Sequence, residues 1–60
     1  MRGKDLIKRL KKDGWVHVRT KGSHFVMMKD GVAVAVPVHN TDLPPGTLHS
    51  IMKQTGLKEL

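Results

Sequence analysis

The sequence contains no cysteine, and this absence excludes several kinds of chemistry at once. Without thiols there can be no disulfide framework, no thiolate nucleophile and no cysteine-based zinc site. Long apolar runs are also missing, and a membrane-spanning helix needs about 20 such residues. Residues 1–12 are basic and lack the apolar core of a secretory signal. We therefore expect a soluble, cytoplasmic protein.

Acidic residues are scarce, with 5 Asp and Glu against 11 Lys and Arg and a net charge of +6 on 60 residues. This imbalance favours a polyanionic partner, because neutralising phosphates releases condensed counterions. Nucleic acid is the first candidate, followed by an anionic membrane surface or an acidic protein. The length allows one domain, residues 1–60. A domain of this size buries only about 60% of the surface of its unfolded chain, so we expect no deep, enclosed pocket.

Hydrophobic periodicity predicts the element order α-β-β-β-α. The predicted elements are a helix over residues 3–13, strands over residues 15–20, 24–29 and 32–38, and a second helix that begins at Pro45 and is closed by Gly56. Turns are predicted at residues 21–23 and at Asp30-Gly31, and a loop over residues 39–44. The fold class is therefore α+β, a three-stranded antiparallel sheet with both helices on one face.

Alternation along the strands assigns each side chain to one of two faces of the sheet. The inner face, against the helices, is predicted to carry Val16, Val18, Phe25, Met27, Val32, Val34, Val36 and Val38. The outer face is predicted to carry His17, Arg19, His24, Val26, Met28, Ala33 and Ala35. Trp15 begins a strand and is compatible with either face.

An outer face that holds histidines beside basic residues can bind RNA and also cleave it. Cleavage without a metal needs a base for the 2′-hydroxyl, an acid for the leaving 5′-oxygen and cations for the phosphorane. Histidine suits the first two roles because its unperturbed pKa is about 6.5. Judged from the residues alone, His24 is still more often an ordinary surface histidine than a catalyst.

Two other chemistries are less well supported by the spacing of the residues. A zinc site built from His17, His24 and His39 has no pair at the spacing of known zinc motifs. A hydrolase pair of Ser23 and His24 is also unfavourable, because adjacent strand residues point to opposite faces. His49 is expected to be an exposed residue of the second helix.

The outer face and the residues near it also offer candidate binding residues. Those for RNA are Lys21, Arg19, Lys29, His17, Ser23 and Gly22. Those for a protein partner are the apolar residues Val26, Met28, Ala33 and Ala35. An exposed apolar patch on a small domain often marks a protein interface, so the partner is expected to cover the sheet.

Along nearly its whole length the sequence resembles the HicA family of toxin–antitoxin ribonucleases. The resemblance is carried by Leu6-Ile7-Lys8 with Leu10, Asp13-Gly14-Trp15, Lys21-Gly22-Ser23-His24, Val36-Pro37 with His39, Leu43-Pro44, Gly46-Thr47-Leu48, Ile51 and Lys53-Gln54. Each piece is weak alone, but their order and spacing in a chain of this length are specific.

The resemblance implies a fold like that of double-stranded-RNA-binding domains and cleavage of mRNA without a metal ion or other cofactor. It implies that His24 is the catalytic residue, and that cleavage inhibits translation and growth. It also implies neutralisation by a HicB-type antitoxin, which would carry any DNA-binding part, so no direct DNA binding is expected. Because the sequence has no long apolar run, no membrane partner is expected either. The second catalytic group stays open among His17, His39 and Lys21.

Two alternatives share much of this support. A non-catalytic RNA-binding module fits the same element order and the same charge. An interaction protein whose main role is complex formation fits the apolar outer face, and this role is compatible with a toxin that binds an antitoxin.

Overall fold

The structure, a computed structural model, describes residues 1–38 and 42–57. Its elements are α1 (Gly3–Lys12), β1 (Val16–Lys21), β2 (His24–Lys29), β3 (Val32–Pro37) and α2 (Pro45–Thr55). The strands form one antiparallel sheet in the order β1-β2-β3. The predicted α-β-β-β-α order and the α+β class are therefore confirmed. Of the loop predicted over residues 39–44, residues 39–41 lie outside the described part.

One core lies between the inner face of the sheet and the two helices. Its buried side chains are Leu6, Ile7, Leu10, Trp15, Met27, Val34, Val36, Leu43 and Ile51. Phe25, Val38, Leu48 and Leu57 pack against it while partly exposed. Because residues of both helices share this core with one face of the sheet, both helices cover that face, as predicted.

Trp15, which the sequence left open, belongs to the core with 5% of its surface exposed. Its backbone N–H donates to the carbonyl of Leu10 at 2.9 Å, directly after α1. This bond turns the chain from the helix into β1, and the indole joins the same core cluster as Leu10. Burial of so large a side chain is a main source of stability in a domain with few aromatic residues.

The first half of β1 is inverted relative to the prediction. Val16 and Val18, expected inside, are 60% and 48% exposed. His17, expected outside, lies opposite the fully buried Met27 and so belongs to the inner face. The register shifts between His17 and Arg19. Such a β-bulge adds one residue to a strand, and one residue is enough to exchange its two faces.

The remaining faces follow the predicted alternation. Opposite residues of neighbouring strands share a face. Buried Met27 lies opposite buried Val34, and Phe25 lies opposite buried Val36. Val32 lies on the inner face by register but stays 45% exposed at the start of β3.

The N-terminus of α1 approaches the end of β3 closely. A Cβ atom on the buried Gly3 would overlap the carbonyl oxygen of Pro37, so only glycine fits there. Nearby, Arg2 forms an isolated bridge with Asp42, and the N–H of Leu43 donates to the carbonyl of Met1 at 2.7 Å. These contacts fix the chain just before α2. Within residues 1–38 and 42–57, no helix is long and apolar enough to cross a membrane.

Candidate active site

The β1–β2 turn positions the Gly22-Ser23-His24 motif. Lys21 and His24 lie opposite each other as the last pair of the hairpin, with Gly22 and Ser23 as the two turn residues. Gly22 has a φ of 59°, as expected for a glycine in the first position of a tight hairpin turn. His24 is exposed, and Lys21 is exposed beside it. The turn thus places an imidazole and an ammonium group on the same face of the sheet.

The outer face consists of three rows of cross-strand neighbours. The His24 row is Lys21, His24 and Pro37; the Val26 row is Arg19, Val26 and Ala35; the Met28 row is Val16, Met28 and Ala33. Polar character decreases from the first row to the third. The basic and histidine side chains therefore occupy one end of the face, and an apolar surface occupies the other.

Arg19 adds a second cation next to the His24 row. It lies opposite Val26 and two residues before Lys21, so both basic side chains are on the outer face. Both are exposed. A phosphate placed beside His24 would therefore meet positive charge from two side chains of β1.

The turn is also fixed to the third strand. The backbone N–H of Val38 donates to the carbonyl of Ser23 at 2.6 Å. Because Val38 packs against the core, this bond connects the exposed turn to the rigid part of the domain. The backbone at His24 is therefore fixed by its pairing with β1 and β3, and the preceding Ser23 is fixed by the residue after β3.

His17 does not lie beside His24, because the two side chains are on opposite faces of the sheet. Its ring stacks on Phe25 with centroids 4.4 Å apart and an interplanar angle of 17°. Its Nε2 lies 2.9 Å from Oγ1 of Thr20, at hydrogen-bond distance. Both partners share the inner face, and His24 is on the outer one. Of the three groups considered as a second acid or base, only Lys21 adjoins His24 among the described residues, and His39 lies outside them.

Lys29 is also placed away from His24, at the other end of β2 and on the inner face. Its ammonium group donates to the carbonyl of Asp13 and lies 3.7 Å from the carboxylate of the same residue. These contacts neutralise the free carbonyl end of α1, which explains Lys29 as a structural residue.

His49 is exposed on α2, as expected.

The apolar residues expected to bind a protein partner all lie on the outer face. Ala33, Ala35 and Met28 are exposed, and Val26 is half-buried. The bulge adds Val16 to this group, although alternation predicts it on the inner face. No signal in the sequence reveals the bulge, because Val16 and Val18 alternate as the residues of a regular inner face would.

A shallow, open cleft of about 250 Å³ lies at the end of α1, lined by Arg9, Lys12, Asp13 and Leu57. These residues belong to the helical side of the domain. The cleft is therefore separate from the surface that carries His24.

The comparisons with known proteins agree with the motif. The family model described as the HicA toxin of bacterial toxin–antitoxin systems matches residues 3–57. A search of curated proteins finds no match. The matched segment includes every described element, from α1 to the end of α2. The chain therefore belongs to the HicA toxin family, whose members are the toxins of bacterial toxin–antitoxin systems.

Proposed function

We propose that this toxin is a metal-independent endoribonuclease that cleaves mRNA in the cytoplasm and thereby inhibits translation and growth, with His24 as its catalytic residue. The observation that carries the proposal is the pairing of exposed His24 with Lys21, beside Arg19, on the open face of the sheet. This arrangement provides a proton acceptor and two cations at one surface, which are the base and the charge stabilisation that metal-free RNA cleavage needs.

The reaction begins with removal of a proton from a 2′-hydroxyl by the neutral imidazole of His24. The 2′-oxygen then attacks the adjacent phosphorus, and Lys21 and Arg19 stabilise the negative charge of the phosphorane. The bond from phosphorus to the 5′-oxygen breaks, and that oxygen takes up a proton. Lys21 is the candidate donor by position. The products are a 2′,3′-cyclic phosphate and a free 5′-hydroxyl.

The open surface suits this substrate. In the described part of the chain no helix lies on the outer face, so an extended RNA strand can lie across the rows without entering a pocket. Gly22 and Ser23 form the rim beside the reacting group, and their backbone can approach the RNA because Gly22 has no side chain. A Cβ at Gly22 would meet no atom within 4 Å, so the space above the turn is open.

We further propose that a HicB-type antitoxin neutralises the toxin by covering the outer face, with Val26, Met28, Ala33 and Ala35 as contacts. Met28 lies four residues after His24 along β2, a distance of about 13 Å at 3.3–3.4 Å per residue. A protein interface of ordinary size is wide enough to cover both ends of the face. The antitoxin would then exclude RNA by occupying the same surface.

The test is cleavage of a labelled single-stranded RNA in EDTA by the wild type, by His24→Ala and by His49→Ala. His49 is the matched control, because it is an exposed histidine on the helical side. We expect cleavage by the wild type and by His49→Ala, and none by His24→Ala with an unchanged circular dichroism spectrum. A 2′-deoxy nucleotide at the cleaved position should block the reaction.

Full cleavage by folded His24→Ala would refute the assignment of His24. The second candidate function is a non-catalytic RNA-binding module, favoured by the basic exposed face of α1. Tight binding of RNA by the wild type without any shortening of the RNA would select that function.

A further inference from the structure

The exposed side of α1 carries a line of lysines that the proposed reaction does not use. Lys4, Lys8 and Lys12 are spaced four residues apart and lie opposite the buried Leu6 and Leu10. We call these three lysines the α1 stripe. Residues at this spacing are neighbours, with Cβ atoms about 5–6 Å apart. Arg9 and Lys11 flank the stripe, and Asp5 is the helix's one acidic residue.

The lysines of the α1 stripe form no ion pair with acidic side chains of the described residues. Within residues 1–38 and 42–57, the ion pairs are Met1 with Asp42 and Lys29 with Asp13, and neither involves a cation of α1. Like charges four residues apart destabilise a helix. The stripe therefore acts against the stability of α1 in the free protein.

The position of Lys4 is unfavourable for a second reason. It lies in the first turn of α1, where the helix dipole disfavours a cation. The residue before the helix is Arg2, and it provides no side-chain cap. Basic residues in the last turn are explained by the dipole, but Lys4 and Arg2 are not. A polyanion bound along the helix would explain both of them.

The α1 stripe and His24 are on opposite sides of the domain. α1 packs on the inner face of the sheet and His24 emerges from the outer face, in a molecule whose shortest dimension is 17 Å. A duplex is too stiff to bend around so thin a body, since duplex DNA has a persistence length of about 50 nm. A single strand is flexible enough to pass from one side to the other.

We propose that the α1 stripe is a second RNA-binding surface, which holds phosphates of a single-stranded RNA outside the active site. The inference rests on the proposed RNA substrate and names its form: a single strand that continues beyond the cleaved position and around the domain. The contacts are charge interactions with phosphates, so they are independent of base sequence. They raise the affinity for long RNA over short RNA.

A membrane surface is a less suitable occupant of the same face. A helix that lies on a membrane inserts its apolar side among the lipids. In α1 that side consists of Leu6, Ile7 and Leu10, which are buried in the core. The exposed side offers charge alone, which fits a phosphate backbone.

The experiment measures binding of a long and a short single-stranded RNA to the full chain, with His24→Ala present throughout to prevent cleavage. The variants are Lys4→Gln/Lys8→Gln/Lys12→Gln together, Lys8→Gln alone, and the control Lys53→Gln. Lys53 is exposed on α2, so its substitution removes the same charge from another helix. Affinity is measured over a range of salt concentrations, because each phosphate contact on a single strand contributes about 0.7 to the log–log slope.

With long RNA we expect the log–log salt slope to be less steep by about 2 in the triple variant and by about 0.7 in Lys8→Gln. In Lys53→Gln the slope should be unchanged. The preference for long RNA should shrink in the triple variant. Its thermal midpoint should be close to that of its parent, because the loss of repulsion among the three lysines opposes the loss of the favourable dipole interaction of Lys12. That result would separate lost binding from lost folding.

Equal slopes for the triple variant and Lys53→Gln would overturn the proposal. So would unchanged RNA affinity together with lost binding to vesicles that contain phosphatidylserine, which would assign the stripe to a membrane. The parallel cleavage assay with intact His24 keeps the two proposals apart. Absence of cleavage by the wild type would refute the ribonuclease, whereas the slopes alone decide the role of the α1 stripe.

Discussion

Lys21 and His24 are the last cross-strand pair of the β1–β2 hairpin, and both side chains emerge on the face that the helices leave open. The pairing depends on a turn of two residues, because a longer turn would change the register of the pair. The Gly22-Ser23 turn therefore has a geometric role. Backbone pairing is therefore enough to place the Lys21 ammonium group beside the His24 imidazole.

Replacement of Lys21 by Gln should lower the rate of RNA cleavage by about 10²–10³-fold, the loss typical when one donor to a developing anion is removed. Folding should be unaffected, because Lys21 is exposed and makes no ion pair among the described residues. Single-turnover cleavage rates at saturating enzyme separate this effect from weaker binding. Lys53→Gln is the control for the loss of one charge, and equal rates in the two variants would remove Lys21 from the mechanism.

Substitution of Gly22 by Ala should destabilise the protein by about 1–2 kcal/mol, the cost of a left-handed backbone for a residue with a Cβ. The cause is conformational, since φ is 59° and the space around the position is open. Gly22→Asn should cost less, because asparagine tolerates this conformation better. Urea unfolding measures both values. An equal loss for Ala and Asn would mean that the turn adopts another conformation.

His17→Ala should retain cleavage of RNA, because His17 lies on the inner face, away from His24. The protein should lose about 0.5–1.5 kcal/mol of stability with the aromatic contact to Phe25. Replacement by Phe should recover part of this loss, since the stacked ring is kept. Cleavage rates and urea midpoints of the two variants are the measurements. A large drop in the rate of folded His17→Phe would identify His17 as the missing acid or base.

The sequence predicts more of this site than of the strand that supports it. The Gly22-Ser23 turn, the exposure of His24 and the position of Arg19 all follow from local rules about turns and alternation. The face of Val16 and His17 does not, because the bulge between His17 and Arg19 is decided by packing against β2. One inserted residue places Val16 on the outer face and the half-buried His17 on the inner face.

Long-range contacts account for the other differences. Lys29 is a candidate RNA-binding residue by sequence, but the end of α1 lies near enough for its ammonium group to contact Asp13. Trp15 is compatible with either face of the sheet by sequence, and its place in the core goes with a backbone bond to Leu10. Periodicity describes each element separately, whereas these two positions depend on where α1 ends relative to the sheet.

Replacement of Val16 by Glu tests the corrected face and the proposed antitoxin surface together. Val16 is 60% exposed and belongs to the Met28 row, so the variant should fold with a loss of stability of about 1 kcal/mol or less. Affinity for the antitoxin should fall by more than about tenfold, because the charge enters an apolar contact region. Ser50→Glu, at an exposed position of α2, adds a like charge and should change neither property. Unfolding of Val16→Glu, with Ser50→Glu still folded, would mean that Val16 lies on the inner face, as a regular strand predicts. Tight antitoxin binding by both variants would mean that the antitoxin binds another surface.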